Sequence, residues 1–220
     1  MGHRCEKTWG YDQIFYGLDE KPFGKSWVEW TMEWWKWLLS IPLPDNPAND
    51  DTGNNAGQKQ SGNVWYLAGT KDPTNDKIHR TCAVPCDKAI LFPILCCHSS
   101  FAVKRHLKQD AELLSHASCV TDEMIKLELD IKSEFLDSLK LQKIHTGYLC
   151  KYRISSPIFD MELPKDNLFN GKNGETKAAS DGYWAFLKPM SQGKNRRLTI
   201  DFSGIEQEYR TDVSYDILLQ

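Results

Sequence analysis

At 220 residues, with 40% hydrophobic and 11% aromatic content, the chain carries enough apolar material to bury a core, which excludes wholesale disorder. The formal net charge of −3 leaves no Lys/Arg excess to neutralise a phosphate backbone, so no nucleic-acid partner is expected. The polar start has no apolar run behind it, and the longest apolar stretch, residues 34–43, is broken by Lys36 and Pro42. Neither a signal peptide nor a membrane span is therefore expected.

In chain order, residues 1–24 read as an irregular arm with scattered aromatics, Trp9, Tyr11, Phe15, Tyr16 and Phe23. A helix is predicted over 26–40. Ser26 and Glu29 form a capping box, while Trp27, Trp30, Trp34 and Trp37 recur at helical spacing, with Val28, Met32, Trp35 and Leu39 as a second stripe. A helix apolar on most sides is buried on most sides, so the indoles are expected in the core, and Pro42 and Pro44 end the helix. Residues 45–62 are rich in Asn, Asp, Gly and Pro and read as a long loop.

Strands are then predicted at 64–68, 89–95, 125–131, 148–154, 158–163, 183–188, 198–202 and 213–219. Apolar alternation is cleanest in Ile125-Leu127-Leu129-Ile131 and Leu198-Ile200-Phe202. A second helix is placed within 101–118, on Val103, Leu107, Ala111, Leu114 and Ala117. Short strands with few helices predict a mainly β fold with helical decorations: a single-domain antiparallel β-sandwich, jelly-roll-like, over 1–220.

Several segments taken together, GKSWVEWTMEWWKWLLSIP, GQKQSGNVWYLAGT, RTCAVPCDKAILFPIL, YRISSPIFDMELP and DGYWAFLKPMSQG, resemble a family of uncharacterised microbial proteins. That family runs from a Trp-rich helix through a VWFLAG-type strand to a DGYW-type strand and a final DVTY-type strand. The resemblance implies no activity and carries no catalytic residue or cofactor to this chain.

Three groups of residues could carry chemistry. Cys82, Cys86, Cys96, Cys97 and His98 are the right types for zinc, but the C-x3-C spacing is unusual and neighbouring Cys96 and Cys97 would face opposite sides of a strand. The seven cysteines, Cys5, Cys119 and Cys150 being the others, are odd in number and expected to be reduced, in the cytoplasm and without metal. Asp160 and Glu162, on one strand face, and Asp181, ahead of Tyr183-Trp184, are the carboxylates available for hydrolysis. Neither a Walker loop, a G-x-G-x-x-G turn nor a G-x-S-x-G elbow is present, so no cofactor is expected.

The sequence therefore favours a non-catalytic module that binds a ligand or protein partner through end loops. The loops 45–62 and 164–181 each precede an aromatic strand, and they are expected to adjoin, offering Asp51, Asn54, Gln58, Asn173 and Asp181. A hydrolase using Asp/Glu or the Cys/His set is the alternative, and a structural subunit of an assembly the second.

Overall fold

The structure, a computed structural model, describes residues 10–72, 76–118, 125–133, 135, 136, 141, 143–206 and 209–220. The expectations for Cys5, Cys119 and the arm before Gly10 lie outside the described residues. A short helix, α1 (Tyr11–Ile14), precedes the Trp-rich helix α2 (Trp27–Ser40). The capping box of α2 forms as expected: the Ser26 hydroxyl accepts from the Glu29 N–H, and the Glu29 carboxylate accepts from the Ser26 N–H at 2.7 Å. Its far end is closed by Asn46, whose buried side-chain amide donates to the carbonyls of Leu38 (2.7 Å) and Ile41 (3.0 Å).

The chain is mainly β, 39% strand against 24% helix, and two open sheets pack face to face. The first holds β1 (Val64–Tyr66), β3 (Ala89–Ser100), β8 (Gly174–Leu187) and β6 (Arg153–Ser155) in that order, with β7 (Phe159–Leu163) also on β8. The second runs β2 (Ile78–Val84), β10 (Tyr209–Leu219), β9 (Arg197–Glu206), β4 (Lys126–Lys132) and β5 (Ile144–His145). Both sheets are mixed rather than antiparallel, because β1 pairs with β3, and β2 with β10, in parallel. A parallel neighbour needs a long crossover, and residues 85–208 supply one between β2 and β10.

The sheets differ in what covers them. In the first, Ile90, Phe92, Tyr183 and Ala185 face the second sheet, while Leu91, Trp184 and Phe186 face α2. Covered on both sides, β3 from Ala89 to Cys97 and the end of β8 from Tyr183 to Leu187 read as continuous apolar runs. The second sheet buries one face only, so Leu198, Ile200 and Phe202 alternate with half-buried Thr199, Asp201 and Ser203. Its outer face is a ladder of ions: Lys77 lies 3.2 Å from Asp201, and Lys132 2.8 Å from Asp130.

Some boundaries depart from expectation. The second helix, α3, spans only Asp110–Ala117, and it buries Leu113 while Leu114 is 40% exposed. Of the predicted stripe, Ala117 is buried and Leu107 packs beside it, Ala111 and Leu114 face outward, and Val103 lies in a turn. Residues 148–154 are not a strand throughout: helix α4 (Thr146–Leu149) and a 3-10 turn at Cys150–Tyr152 precede β6. Strand β8 starts at Gly174, so the second long loop stops there and Asp181 sits inside a strand.

Candidate functional site

The site follows from a short strand beside a long one. β1 pairs with β3 only at Ala89–Leu91, one further bond joining the Leu67 N–H to the Leu91 carbonyl at 3.1 Å. The chain then turns away, while β3 runs on to Ser100. Pro93, which has no N–H to offer a ladder, stands where that neighbour has ended. Next comes a bulge: the register against β8 shifts between Pro93 and Leu95, and Ile94 and Leu95 both face the second sheet. Two glycines make room for it. A Cβ on Gly182 would lie 2.6 Å from the Cys96 Cβ, and one on Gly204 would lie 2.6 Å from the Leu95 Cβ.

The extra residue inverts the facing of everything after it. Cys97 packs into the inter-sheet core, whereas Cys96 packs toward α2, where His98 meets Trp35. Between this stretch and its covers lies a cavity of about 320 Å³. One wall is β3 from Pro93 to His98, and a second is Trp34, Trp35 and Leu38 of α2. Ala48 and the pair Leu168 and Phe169 come from the two long loops; Gly69, Thr70, Lys71, Glu206, Tyr209 and Thr211 complete the lining.

His98 is enclosed by rings, its own plane stacked on Phe169 at 5.6 Å and tilted against Trp35 at 5.0 Å. Burial, with Lys104 and His116 nearby, pushes its pKa down to about 3, so the imidazole is neutral. Its Nε2 and the Trp35 Nε1 are buried without a hydrogen-bond partner. Burial, with Cys97 adjacent, drives the Cys96 thiol well above its ordinary range, which makes it a poor nucleophile and a poor metal ligand.

The wall at Gly69–Lys71 is anchored from below. Arg80, 1% exposed, donates Nη1 to the carbonyls of Ala68 (2.8 Å) and Gly69 (3.0 Å), and Nε to that of Asp50 (2.6 Å). The Tyr215 hydroxyl accepts from Arg80 at 2.7 Å and donates to the Ala68 carbonyl at 2.9 Å. Trp34 Nε1 holds the preceding carbonyl, Leu67, at 3.0 Å. From above, the Tyr209 hydroxyl donates to the Thr70 carbonyl at 3.1 Å, and the hydroxyls of Thr70 and Thr211 lie 3.3 Å apart.

The two long loops do come together: Ala48 shares the cavity with Leu168 and Phe169, and just ahead of the first loop the Leu43 N–H donates to the Asp166 carbonyl at 2.6 Å. Their meeting residues are apolar. Asp51, Asn54 and Asn173 are exposed and outside the cavity lining, and the Gln58 carbonyl accepts from the Trp37 indole at 2.8 Å. Asp181, 2% exposed, is bound by Arg153 at 2.8 Å. Asp160 and Glu162 alternate with buried neighbours and face outward from β7.

Of the Cys/His set, Cys96, Cys97 and His98 line the cavity, while Cys82 and Cys86 belong to the inter-sheet core. Cys82, Cys86 and Cys96 are free thiols, and among the described residues no three His, Cys, Asp or Glu side chains are grouped as a metal would need. Phe169 and Lys71 were missed. The apolar pair Leu168-Phe169 inside the polar run PKDNLFNGKNG was the readable signal, since a solvated loop has no use for it.

No family model, curated protein or solved structure matches the chain.

Proposed function

We propose that the protein is a binding module that takes up a small, mainly apolar ligand between α2, β3 and the Leu168–Phe169 loop. The observation that carries this reading is the cavity of about 320 Å³, walled by aromatic rings and adjoined by unpaired buried nitrogens on Trp35 and His98. Protein interiors are packed to crystal density, and buried polar groups are nearly always paired. A concave, apolar site with a few polar groups is the usual form of a small-molecule pocket. The carboxylates weighed for hydrolysis, Asp160, Glu162 and Asp181, lie outside its lining, which supports binding over reaction. The free thiols support a reducing compartment such as the cytoplasm.

A fragment screen read by the indole N–H signals in NMR tests the proposal. Binding fragments should move the Trp34 and Trp35 signals, and Thr70→Trp, which plugs the cavity from a half-buried position, should abolish the response. Fragments that bind equally well to the plugged variant would place the site elsewhere.

A further inference from the structure

We infer that the ligand is an aromatic monocarboxylic acid, its ring inside the cavity and its carboxylate at Lys71. The inference rests on the pocket reading above and adds the ligand's chemistry. Size sets the first limit. A cavity of about 320 Å³ takes one ring and a short tail between its walls.

The walls set the second. Trp34 and Trp35 meet edge to face at 5.0 Å, and Phe169 lies over His98, so the cavity offers ring faces and edges to a flat guest. Charge sets the third. Two charged side chains line the cavity, Lys71 and Glu206, and Glu206 already has an interaction of its own. The Lys71 ammonium has an ion pair at 3.8 Å with Asp72, whose side chain is 77% exposed, an arrangement of little worth. Yet the Lys71 side chain is only 22% exposed, and its backbone is fixed by a 3.0 Å bond from its N–H to the Ala48 carbonyl. Its stem is thus mostly covered, while its ammonium has the exposed Asp72 carboxylate as a pair. A ligand carboxylate would supply a charge-assisted hydrogen bond there.

Titration calorimetry of the whole chain with phenylbutyrate, phenylbutanamide and phenylbutylamine tests this. The acid should bind about tenfold tighter than the amide at low salt, and Lys71→Gln should erase that difference while leaving the amide's affinity unchanged. The Trp35 indole signal should move with both. Equal affinity for acid and amide, or a preference for the amine, would overturn the carboxylate and leave the pocket standing. If none of the three binds and the Trp35 signal stays in place, the inference falls; a fragment screen that also fails would take the pocket reading with it.

Discussion

Two buried nitrogen-rich side chains, Arg80 and His98, sit on either side of the Gly69–Lys71 wall and solve the same problem in opposite ways. Arg80 is 1% exposed and His98 8%. Arg80 spends its donors on three carbonyls and a tyrosine hydroxyl, and only Nη2 is left over. Its charge is spread over main-chain dipoles instead of meeting a carboxylate at close range, and the result is an anchor. His98 sheds its charge altogether, gains two ring neighbours and keeps an unpaired Nε2 beside an open cavity. Satisfied polar groups fix a structure; unsatisfied ones next to space mark where a structure is meant to be completed.

Removing the anchor is the harshest way to test that contrast. Arg80→Met leaves the carbonyls of Asp50 and Gly69 without their donor and the Ala68 carbonyl with the Tyr215 hydroxyl alone, and about 3 kcal/mol or more of stability should be lost. Urea unfolding measures it, with an unchanged slope confirming that stability alone moved. A loss below about 1 kcal/mol would mean that water can replace the guanidinium and that Arg80 is no anchor.

His98→Phe should be nearly silent by comparison, within about 1 kcal/mol near neutral pH, because it removes an unpaired polar group and keeps the ring. Its effect appears on acidification. The histidine pKa falls from about 6.5 unfolded to about 3 folded, so the unfolded chain binds more protons between those values. Stability is complete above the unfolded pKa and falls as pH drops toward the folded one, by at most about 1.4 kcal/mol per pH unit. The variant should lack this part of the slope between about pH 6.5 and 5, above the usual carboxylate range. Parallel pH profiles for the two proteins would show that His98 is not held neutral.

Lys77→Met supplies the solvated reference. Lys77 lies 3.2 Å from Asp201 and 3.7 Å from Asp212 with 39% of its side chain exposed, and its loss should cost less than about 1 kcal/mol. Thermal midpoints of variant and wild type should converge in high salt. A larger, salt-resistant effect would mean that the outer ladder is more than a solvated face.

The parts of the fold that were legible share one property: their pattern reports one local environment. Lys126–Lys132 and Arg197–Glu206 alternate because one face is wet, and Ser26 with Glu29 announces α2 because capping is local. Strand β2 was invisible because its buried centre is an arginine. The stretch 148–154, with Lys151 and Arg153 among aromatic and aliphatic residues, fits a strand as well as the helical turns that lead into β6, since so short a segment carries no decisive period. The cavity was hidden for a stronger reason. It depends on a one-residue bulge at Ile94 and on the early end of β1, and neither leaves a mark in composition or spacing. The loops were rightly paired, but polarity drew attention to their exposed residues, while Ala48, Leu168 and Phe169 make the meeting.

The parallel seam between β2 and β10 has a consequence for how the molecule is made. Ile78 pairs with Val213, and the Tyr215 hydroxyl reaches the Ala68 carbonyl across 147 positions. On a ribosome, β2 would emerge early and wait through the synthesis of β3 to β9 before its only strand neighbour among the described residues arrives. Arg80 would spend that interval without the Tyr215 hydroxyl, and the segment it holds would not yet be clamped. Closing so distant a pair is entropically slow, and an unpaired edge is open to wrong partners until it closes. The cavity wall is therefore among the last parts of the protein to be born, and a nascent chain halted before residue 209 would carry the Trp-rich helix but no finished pocket.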